Sequence, residues 1–240
     1  MPRTLFVSDL HLAEERPAST ERFSRFLSET VPGADALYIL GDLFEFWVGD
    51  DCLSGGLPAR IADLLRPVAR NMPVYFMHGN RDFMVSSRFS AETGIRLLPD
   101  PTVIDLYGER VLLLHGDTLC TGDRAYLAFR EQVRSPAWQA AALARPIEER
   151  IALARDMREQ SEDAKEGKGA AIMDVTPEAV EAAFASAGCR VMIHGHTHRP
   201  ARHVHEANGG PCVRWVLPDW YESGGYLEAT PSGIRAVALG

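Results

Sequence analysis

The segment "VMIHGHTHRP" at residues 191–200 places His194, His196 and His198 within five positions. An apolar, β-branched run enters a Gly-His-Thr-His turn and stops at a proline, which is typical of the end of a strand. Imidazole side chains at such a turn suit either a polar loop or a metal site. The other strand ends in the sequence decide between these two alternatives.

Four further apolar runs end in residues that are able to bind a metal ion. In chain order, these residues are Asp9, His11, Asp42, Asn80 and His115. Carboxylate, amide and imidazole ligands in this mixture favour manganese, iron or zinc over a metal that prefers thiolates. With His196 and His198 they make seven ligands, which suits two ions if one carboxylate bridges them. Two such ions can activate a water and hold both sides of an in-line phosphoryl displacement.

Alternating strands and helices have to position these residues. The stretches "TLFVSDLHL", "ALYILGDLFEFW", "PVYFMHGNRDF" and "RVLLLHGDT" each begin as a buried strand. Helical spacing separates them in "STERFSRFLSETV", with Ser19 or Thr20 as its N-cap, and at residues 57–70. This alternation predicts an α/β fold, in which ligands gather at the carboxyl ends of the strands.

Residues from about 122 to 173 interrupt this alternation. They are rich in Ala and Arg, have helical periodicity through Ile151 and Met157, and include Pro146 as a suitable helix start. We interpret them as a helical insertion, or cap, within a single domain of residues 1–240. A further helix, "TPEAVEAAFASAG", and strands in "CVRWVLPDW" and "GYLEATPSGIRAVAL" are predicted in the rest of the chain.

Composition argues against several classes of protein. The formal charge of -8 disfavours a general nucleic-acid binder, which needs a basic face. The apolar runs are far shorter than the roughly 20 residues of a membrane-spanning helix, and the N-terminus does not resemble a signal peptide. The four cysteines form no CxxC pair, which favours reduced cytosolic thiols. We expect a cytoplasmic protein, a monomer or weak oligomer, that rests at most on a membrane surface.

The ordered set D-x-H, G-D, G-N-R-D, H and G-H-x-H resembles the calcineurin-like metallophosphoesterase superfamily. The resemblance implies an αββα layered sandwich with a helical insertion. It implies that one ion is bound by Asp9, His11 and His198, that the other is bound by Asn80, His115 and His196, and that Asp42 bridges them. It also implies that Asn80, Arg81 and His196 are catalytic, whereas His194 and His78 are not ligands.

Longer motifs resemble one branch of that superfamily, the UDP-2,3-diacylglucosamine pyrophosphatases of the lipid A pathway. These motifs are "FVSDLHL", "GDLFEFWVGDD", "HGNRDF", "LLHGDTLCTGDRAY", "IMDV", "IHGHTHRP" and "LPDW". The resemblance implies a hydrolase in which water, activated by two Mn²⁺ ions, attacks the uridine-side phosphorus of UDP-2,3-diacylglucosamine. The implied products are UMP and 2,3-diacylglucosamine 1-phosphate (lipid X). The implied place of action is the cytoplasmic face of the bacterial inner membrane, with the protein bound peripherally.

The same resemblance implies substrate contacts, many of them in the insertion. They are Asn80, Arg81, Asp123, Arg158, Ser161, Lys165, Lys168 and His196. Lys165 and Lys168 are the only lysines in the chain, and their ammonium groups could reach a phosphate or sugar. The alternative is that they are solvated charges on a helix face. Arg81 could pair with a phosphate oxygen or form an ion pair with Asp82.

A diacylated substrate also needs an apolar slot beside the polar reaction centre. Candidate lining residues are "FEFWV", Phe83, Met84, Phe129, Ile151 and Met157, and ordinary core packing is the alternative for each. Two other functions stay open. One is a metallophosphoesterase that acts on dinucleoside polyphosphates or phosphoproteins, and the other is a partner-binding scaffold of this fold without metals. The filled ligand positions argue against the scaffold, and the insertion favours the lipid substrate.

Overall fold

The computed structural model describes residues 1–166 and 172–239. Strands and helices alternate through the first half of the chain, and helices then separate two strands of one sheet. In chain order the elements are β1 (Thr4–Val7), α1 (Pro17–Arg25), β2 (Ala36–Leu40), α2 (Gly56–Asn71), β3 (Val74–Met77), α3 (Ser87–Thr93), β4 (Arg96–Leu98), β5 (Thr102–Leu106), β6 (Glu109–Leu113), α4 (Arg124–Val133), α5 (Pro136–Leu143), α6 (Ile147–Glu166), α7 (Pro177–Ala187), β7 (Val191–His194), β8 (Ala201–Ala207), β9 (Gly210–Val216), β10 (Gly225–Thr230) and β11 (Gly233–Ala238).

These strands form two mixed sheets. The first has the order β11-β10-β1-β2-β3-β4, and the second has the order β5-β6-β7-β9-β8. Strands β1 to β4 are parallel, and so are β6, β7 and β9. The loops that follow parallel neighbours leave each sheet at the same edge, so the predicted ligand segments are brought to one side of the molecule.

Three apolar layers hold the sheets and helices together. Between the sheets, side chains from both meet, among them Phe6, Leu40, Met77, Val111, Leu113 and Ile193. On the outer face of the first sheet, Leu5 and Ile39 pack with Phe23 of α1 and Ile61 of α2. On the outer face of the second, Met192 packs with Phe184 of α7. This is the predicted αββα sandwich. Strand β1 is buried on both faces, and because its successive side chains point to opposite faces, Leu5 and Val7 pack in the outer layer and Phe6 packs between the sheets.

Helices α4, α5 and α6 lie between β6 and β7 in the chain and are called the cap helices here. The Asp123 side chain caps α4 by accepting a hydrogen bond from Tyr126 N at 3.1 Å. Arg150 of α6 is 5% exposed, donates to the carbonyl of Val48 and pairs with Asp51. Arg150 therefore anchors α6 on the loop that follows β2. The insertion limits of 122 and 173 stay a prediction.

Two local predictions differ from the structure. Helix α1 begins at Pro17, so neither Ser19 nor Thr20 is its N-cap. Proline suits this first position because it has no N–H that needs an acceptor. Strand β8 at Ala201–Ala207 was missed, because "ARHVHEA" has few apolar residues for an edge strand. Among the described residues, no helix combines the length and the apolar character that crossing a membrane requires.

Candidate metal centre

Five loops place the seven predicted ligands in one cluster at the carboxyl ends of the strands. Asp9 and His11 follow β1, Asp42 follows β2, and Asn80 follows β3, while His115 follows β6 and both His196 and His198 follow β7. Ligand atoms from different loops approach one another to between 2.9 and 3.8 Å. The fold therefore brings together residues that are up to 189 positions apart in the chain.

Asp9, His11 and His198 form the first ligand trio. The Nε2 atoms of the two histidine rings lie 3.3 Å apart. Asp9 Oδ1 lies 3.3 Å from His198 Nε2 and 3.9 Å from His11 Nε2. Two ring nitrogens and one carboxylate oxygen that lie within 4.8 Å of one another are a donor set that suits a divalent cation.

Asn80, His115 and His196 form the second ligand trio. Asn80 Oδ1 lies 3.0 Å from His115 Nε2 and 2.9 Å from His196 Nδ1. His115 donates its other ring proton, on Nδ1, to the carbonyl of Leu40 at 2.9 Å. A carbonyl in this position fixes the tautomer of the ring and leaves Nε2 as the ligand atom.

Asp42 lies between the two trios. Its Oδ2 atom is 3.7 Å from His11 Nε2 and 3.8 Å from His115 Nε2, whereas Oδ1 accepts a hydrogen bond from Arg81 N at 2.8 Å. Asp9 divides its oxygens similarly, because Oδ2 accepts from the Ser8 hydroxyl and from the backbone N–H of His196. Each aspartate thus uses one oxygen to fix its position and turns the other toward the cluster.

The environment of one Asp9 oxygen shows whether the site fits a metal ion. Asp9 is fully buried, and its Oδ1 atom makes no hydrogen bond to any described residue. A buried carboxylate oxygen without a donor is costly unless a cation lies beside it. The donor types and this orphaned oxygen both fit a bound cation.

The backbone of the cluster is strained. Five ligand residues have left-handed φ angles between 48° and 67°: Asp9, His11, Asp42, His196 and His198. Such angles are uncommon outside glycine, and they cost roughly 1–3 kcal/mol each. Strain of this kind persists where the surrounding fold holds it and is concentrated at functional sites.

Charges inside the cluster shift the pKa values of its members in opposite directions. Burial alone would lower the pKa of His115, but the charges of Asp42 and Asp9 raise it to about 9. Burial, together with the charge of His115, lowers the pKa of His196 to about 3. The carboxylates thus create a negative potential that favours one positive charge and resists a second proton on the neighbouring ring.

Arg81 does not form the alternative ion pair with Asp82. The buried carboxylate of Asp82 instead accepts backbone hydrogen bonds from Leu43 N at 2.7 Å and Gly79 N at 2.8 Å. These bonds tie the Asp42 loop to the Asn80 loop. Arg81 Nε is buried without a hydrogen-bond partner among the described residues, and Arg81 lines the cleft described next.

A cleft of about 450 Å³ lies between the ligand cluster and the cap helices. Its apolar lining includes Phe46, Trp47, Val48, Phe83, Met84, Phe129, Trp138, Leu153 and Met157. Ile151 is not among the lining residues, whereas Leu153 of the same helix is. Asn80, Arg81 and His196 form part of the polar end.

The structure places two of the other predicted substrate contacts on the cleft and leaves three untested. Asp123 and Arg158 line it. The side chains of Ser161 and Lys165, and Lys168 as a whole, lie outside the described residues. The histidines that were not predicted as ligands have other partners. His78 Nε2 lies 2.7 Å from the carbonyl of Val85, and the buried His194 ring contacts Gly195 O and Arg214.

Sequence reasoning missed the residues that hold the ligands in place. Asp117 accepts hydrogen bonds from Tyr126 OH at 2.5 Å and Arg130 Nε at 2.6 Å, which ties α4 to the His115 loop. Glu45 is buried beside His11. The signal for Glu45 was a single acidic residue within the apolar run "LFEFW", and buried carboxylates need partners.

A family model described as calcineurin-like phosphoesterase matches residues 2–200. The chain belongs to the calcineurin-like phosphoesterase family. This confirms the superfamily that the strand-end motifs predicted. A protein of Xanthomonas campestris pv. campestris (strain B100), named UDP-2,3-diacylglucosamine hydrolase, is 52% identical over 98% of both chains. One of Stenotrophomonas maltophilia (strain K279a) with the same name is 51% identical over 96% of both. The structure of an archaeal phosphodiesterase aligns over 99% of both chains, with 12% identity and a TM-score of 0.49.

Proposed function

We propose that this chain hydrolyses the pyrophosphate bond of UDP-2,3-diacylglucosamine, giving UMP and 2,3-diacylglucosamine 1-phosphate. The observation that carries the proposal is the apolar cleft that opens directly onto the ligand cluster. A substrate with acyl chains and a pyrophosphate needs apolar walls and a polar end within one pocket. The name shared by the two relatives supports the same substrate.

The donor set supports two divalent ions, and we propose Mn²⁺. Asp9, His11 and His198 would hold one ion, Asn80, His115 and His196 the other, with Asp42 between them. Mixed oxygen and imidazole donors suit manganese, and none of the seven proposed ligands is a thiolate, which would favour a softer metal. When bound, such a pair of ions lowers the pKa of water and neutralises charge on the phosphate oxygens.

The residues of the chain supply positioning and charge. Arg81 presents a guanidinium at the polar end of the cleft, where it pairs with a phosphate oxygen and stabilises the charge that develops there. Asn80 and His196 orient the uridine-side phosphorus toward the water. The leaving group is the lipid monophosphate, so no side chain has to form a covalent bond with the substrate.

We assign the glucosamine and its acyl chains to the cap side of the cleft. Asp123, Arg158, Ser161, Lys165 and Lys168 are proposed to contact the polar part of the lipid there. Because a diacylated substrate resides in a membrane leaflet, we propose peripheral binding to the cytoplasmic face of the inner membrane. Phe129 and Leu143 of the cap helices are exposed by 41% and 48%, which suits contact with a leaflet.

The test is hydrolysis of UDP-2,3-diacylglucosamine with added Mn²⁺, followed by release of UMP. His196→Ala removes one ligand and should abolish activity. His203→Ala is the matched control, because His203 lies on β8 outside the cluster and should leave activity unchanged. Equal activity on UDP-glucosamine without acyl chains would contradict the lipid assignment, and no release of UMP from either substrate would contradict the proposal as a whole.

A further inference from the structure

The Glu45 carboxylate lies just outside the ligand cluster and is 2% exposed. It stands in the loop after β2, three positions beyond Asp42. Burying a carboxylate is costly unless cations or donors surround it. Three groups from different parts of the fold surround this one: Arg16, the His11 ring and Arg158 of α6.

One oxygen of Glu45 faces a metal ligand. Oε2 binds the Arg16 guanidinium and lies 3.8 Å from His11 Nδ1. That nitrogen is buried and makes no hydrogen bond to any described residue. A metal-binding histidine almost always donates its second ring proton to a carboxylate, a carbonyl or water. The distance exceeds hydrogen-bond length by about 1 Å, so in this geometry the carboxylate acts on the ring nitrogen through its charge.

The His11 ring is held on its face as well as at its edge. The Tyr221 ring stacks on it with centroids 4.9 Å apart and an interplanar angle of 10°. Arg16 lies over the Tyr221 ring, at 4.7 Å from its centroid, and also donates to the His11 carbonyl at 2.7 Å. Glu45 and Arg16 therefore belong to one assembly that leaves the ring little freedom except to face the cluster.

The other oxygen of Glu45 reaches the cap. Oε1 lies 3.0 Å from Arg158 Nε, on α6. A single buried carboxylate thus connects a cap helix with the first ligand trio. Besides the Arg150–Asp51 pair, α6 forms another ion pair with the body, Arg155 with Glu15 at 4.0 Å, which is exposed and involves no proposed ligand.

We propose that Glu45 is a positioning residue that fixes the His11 ring for its ion and couples α6 to the first ligand trio. This inference rests on the two-metal site of the proposed function. Loss of the Glu45 charge should weaken binding of one ion, spare the other and loosen α6. Arg158, which is predicted to contact the substrate, then has a second role, because its contact with Glu45 links the position of α6 to the His11 ring.

The first experiment counts Mn²⁺ ions by equilibrium dialysis, with affinities from calorimetric titration. Glu45→Gln keeps the size of the side chain and removes its charge. We expect the affinity of one of the two ions to fall about 10- to 100-fold, as when other outer partners of metal ligands are removed. Glu15→Gln, the matched control, removes the exposed contact to the same helix and should leave both affinities unchanged.

The second experiment measures hydrogen exchange of the α6 backbone in Glu45→Gln, Arg158→Gln and the double variant. Each single change should speed exchange in α6, and the double change should add little, because both remove the same contact. Arg158 is 37% exposed, so Arg158→Gln should fold and carries the test if Glu45→Gln does not. Arg158→Gln should also weaken the same ion, by less than Glu45→Gln.

The outcomes separate the two proposals. Wild-type protein that binds fewer than two Mn²⁺ ions contradicts the proposed function. Wild-type protein with two ions, and a folded Glu45→Gln variant with both affinities unchanged, overturns the positioning role alone. Fully additive effects of the two substitutions on α6 exchange overturn the coupling to the cap.

Discussion

At the scale of single residues, the ligand cluster depends on two glycines, because a side chain at either position would occupy the space of a proposed ligand. A Cβ on Gly79 would overlap the Asp42 carboxylate, and one on Gly195 would overlap the Asp9 carboxylate and the Ser8 hydroxyl. Cβ atoms essentially never come that close to other heavy atoms, so the neighbour has to move. In both places the neighbour is a proposed ligand or its hydrogen-bond partner, which makes these glycines part of the site.

Gly195→Ala should abolish binding of at least one Mn²⁺ ion while the protein remains folded. The added methyl group displaces the Asp9 carboxylate from the position in which it faces both histidines of the first trio. Calorimetric titration with Mn²⁺ checks this. Gly55→Ala is the control, because Gly55 has an extended backbone and no described atom within 4 Å of the added Cβ. Unchanged binding in Gly195→Ala would contradict the described geometry.

At the scale of the elements, strand ends were predictable and their connections were not. Apolar runs that stop at Asp, Asn or His indicated β1, β2, β3, β6 and β7, since a buried strand and a polar loop differ in composition, whereas β4, β5 and β8 were missed. The contacts among the loops depend on pairs of side chains whose spacing in the sequence does not predict that they meet. Glu45 with Arg158 and Asp117 with Arg130 join segments from different parts of the fold, and they become evident only once the chain is folded.

Asp50 connects the loop after β2 to the start of α3. Its carboxylate accepts from Trp47 Nε1 at 2.9 Å, from Ser86 Oγ at 2.7 Å and from Phe89 N at 2.8 Å. Asp50→Ala leaves these donors unsatisfied, and we expect it to lower the free energy of unfolding by about 2–4 kcal/mol. Urea denaturation measures this.

The control for Asp50 is Asp63→Ala. Asp63 is 69% exposed and pairs with Arg66 on the same helix. Exposed pairs of this kind contribute at most about 1 kcal/mol. Equal losses of stability in the two variants would show that Asp50 does not hold the loop and the helix together.

Arg150 anchors α6, and its removal should affect the substrate more than the metals. Arg150→Ala takes away the bonds to Val48 and Asp51, so the cap side of the cleft should become mobile. We expect a higher KM for UDP-2,3-diacylglucosamine, faster proteolysis within the cap helices and a smaller loss of Mn²⁺ affinity than in Glu45→Gln, because the Glu45–Arg158 pair remains. Arg155→Ala, at an exposed position on the same helix, should change none of the three. A loss of Mn²⁺ affinity in Arg150→Ala as large as the loss in Glu45→Gln would contradict this prediction.

At the scale of the whole molecule, two sheets and five loops converge on one charged centre. That centre buries two histidines and two aspartates almost completely, namely His11, His115, Asp9 and Asp42, and His196 is half-buried beside them. Without a cation, their mutual repulsion and desolvation oppose folding. Metal binding should therefore stabilise the entire protein, beyond its effect on the reaction.

Removal of metal with EDTA should lower the melting temperature, and Mn²⁺ should restore it. A ligand at 100 times its Kd adds about 2.7 kcal/mol. One kcal/mol moves the Tm of a protein of this size by about 2–4 °C. A rise of roughly 5–10 °C per occupied site follows, as measured by calorimetry. In His196→Ala, Mn²⁺ should raise the Tm by less than in the wild-type protein. An equal rise in Tm would contradict the assignment of His196 as a ligand.

The most direct test of the proposed function is hydrolysis of UDP-2,3-diacylglucosamine in ¹⁸O-labelled water with Mn²⁺, followed by ³¹P NMR of both products. Attack by water on the uridine-side phosphorus predicts one ¹⁸O atom in UMP and none in 2,3-diacylglucosamine 1-phosphate. Detection of the ¹⁸O label in 2,3-diacylglucosamine 1-phosphate would contradict the proposed orientation of the substrate. The absence of hydrolysis, from protein that binds two Mn²⁺ ions, would contradict the assignment of this substrate.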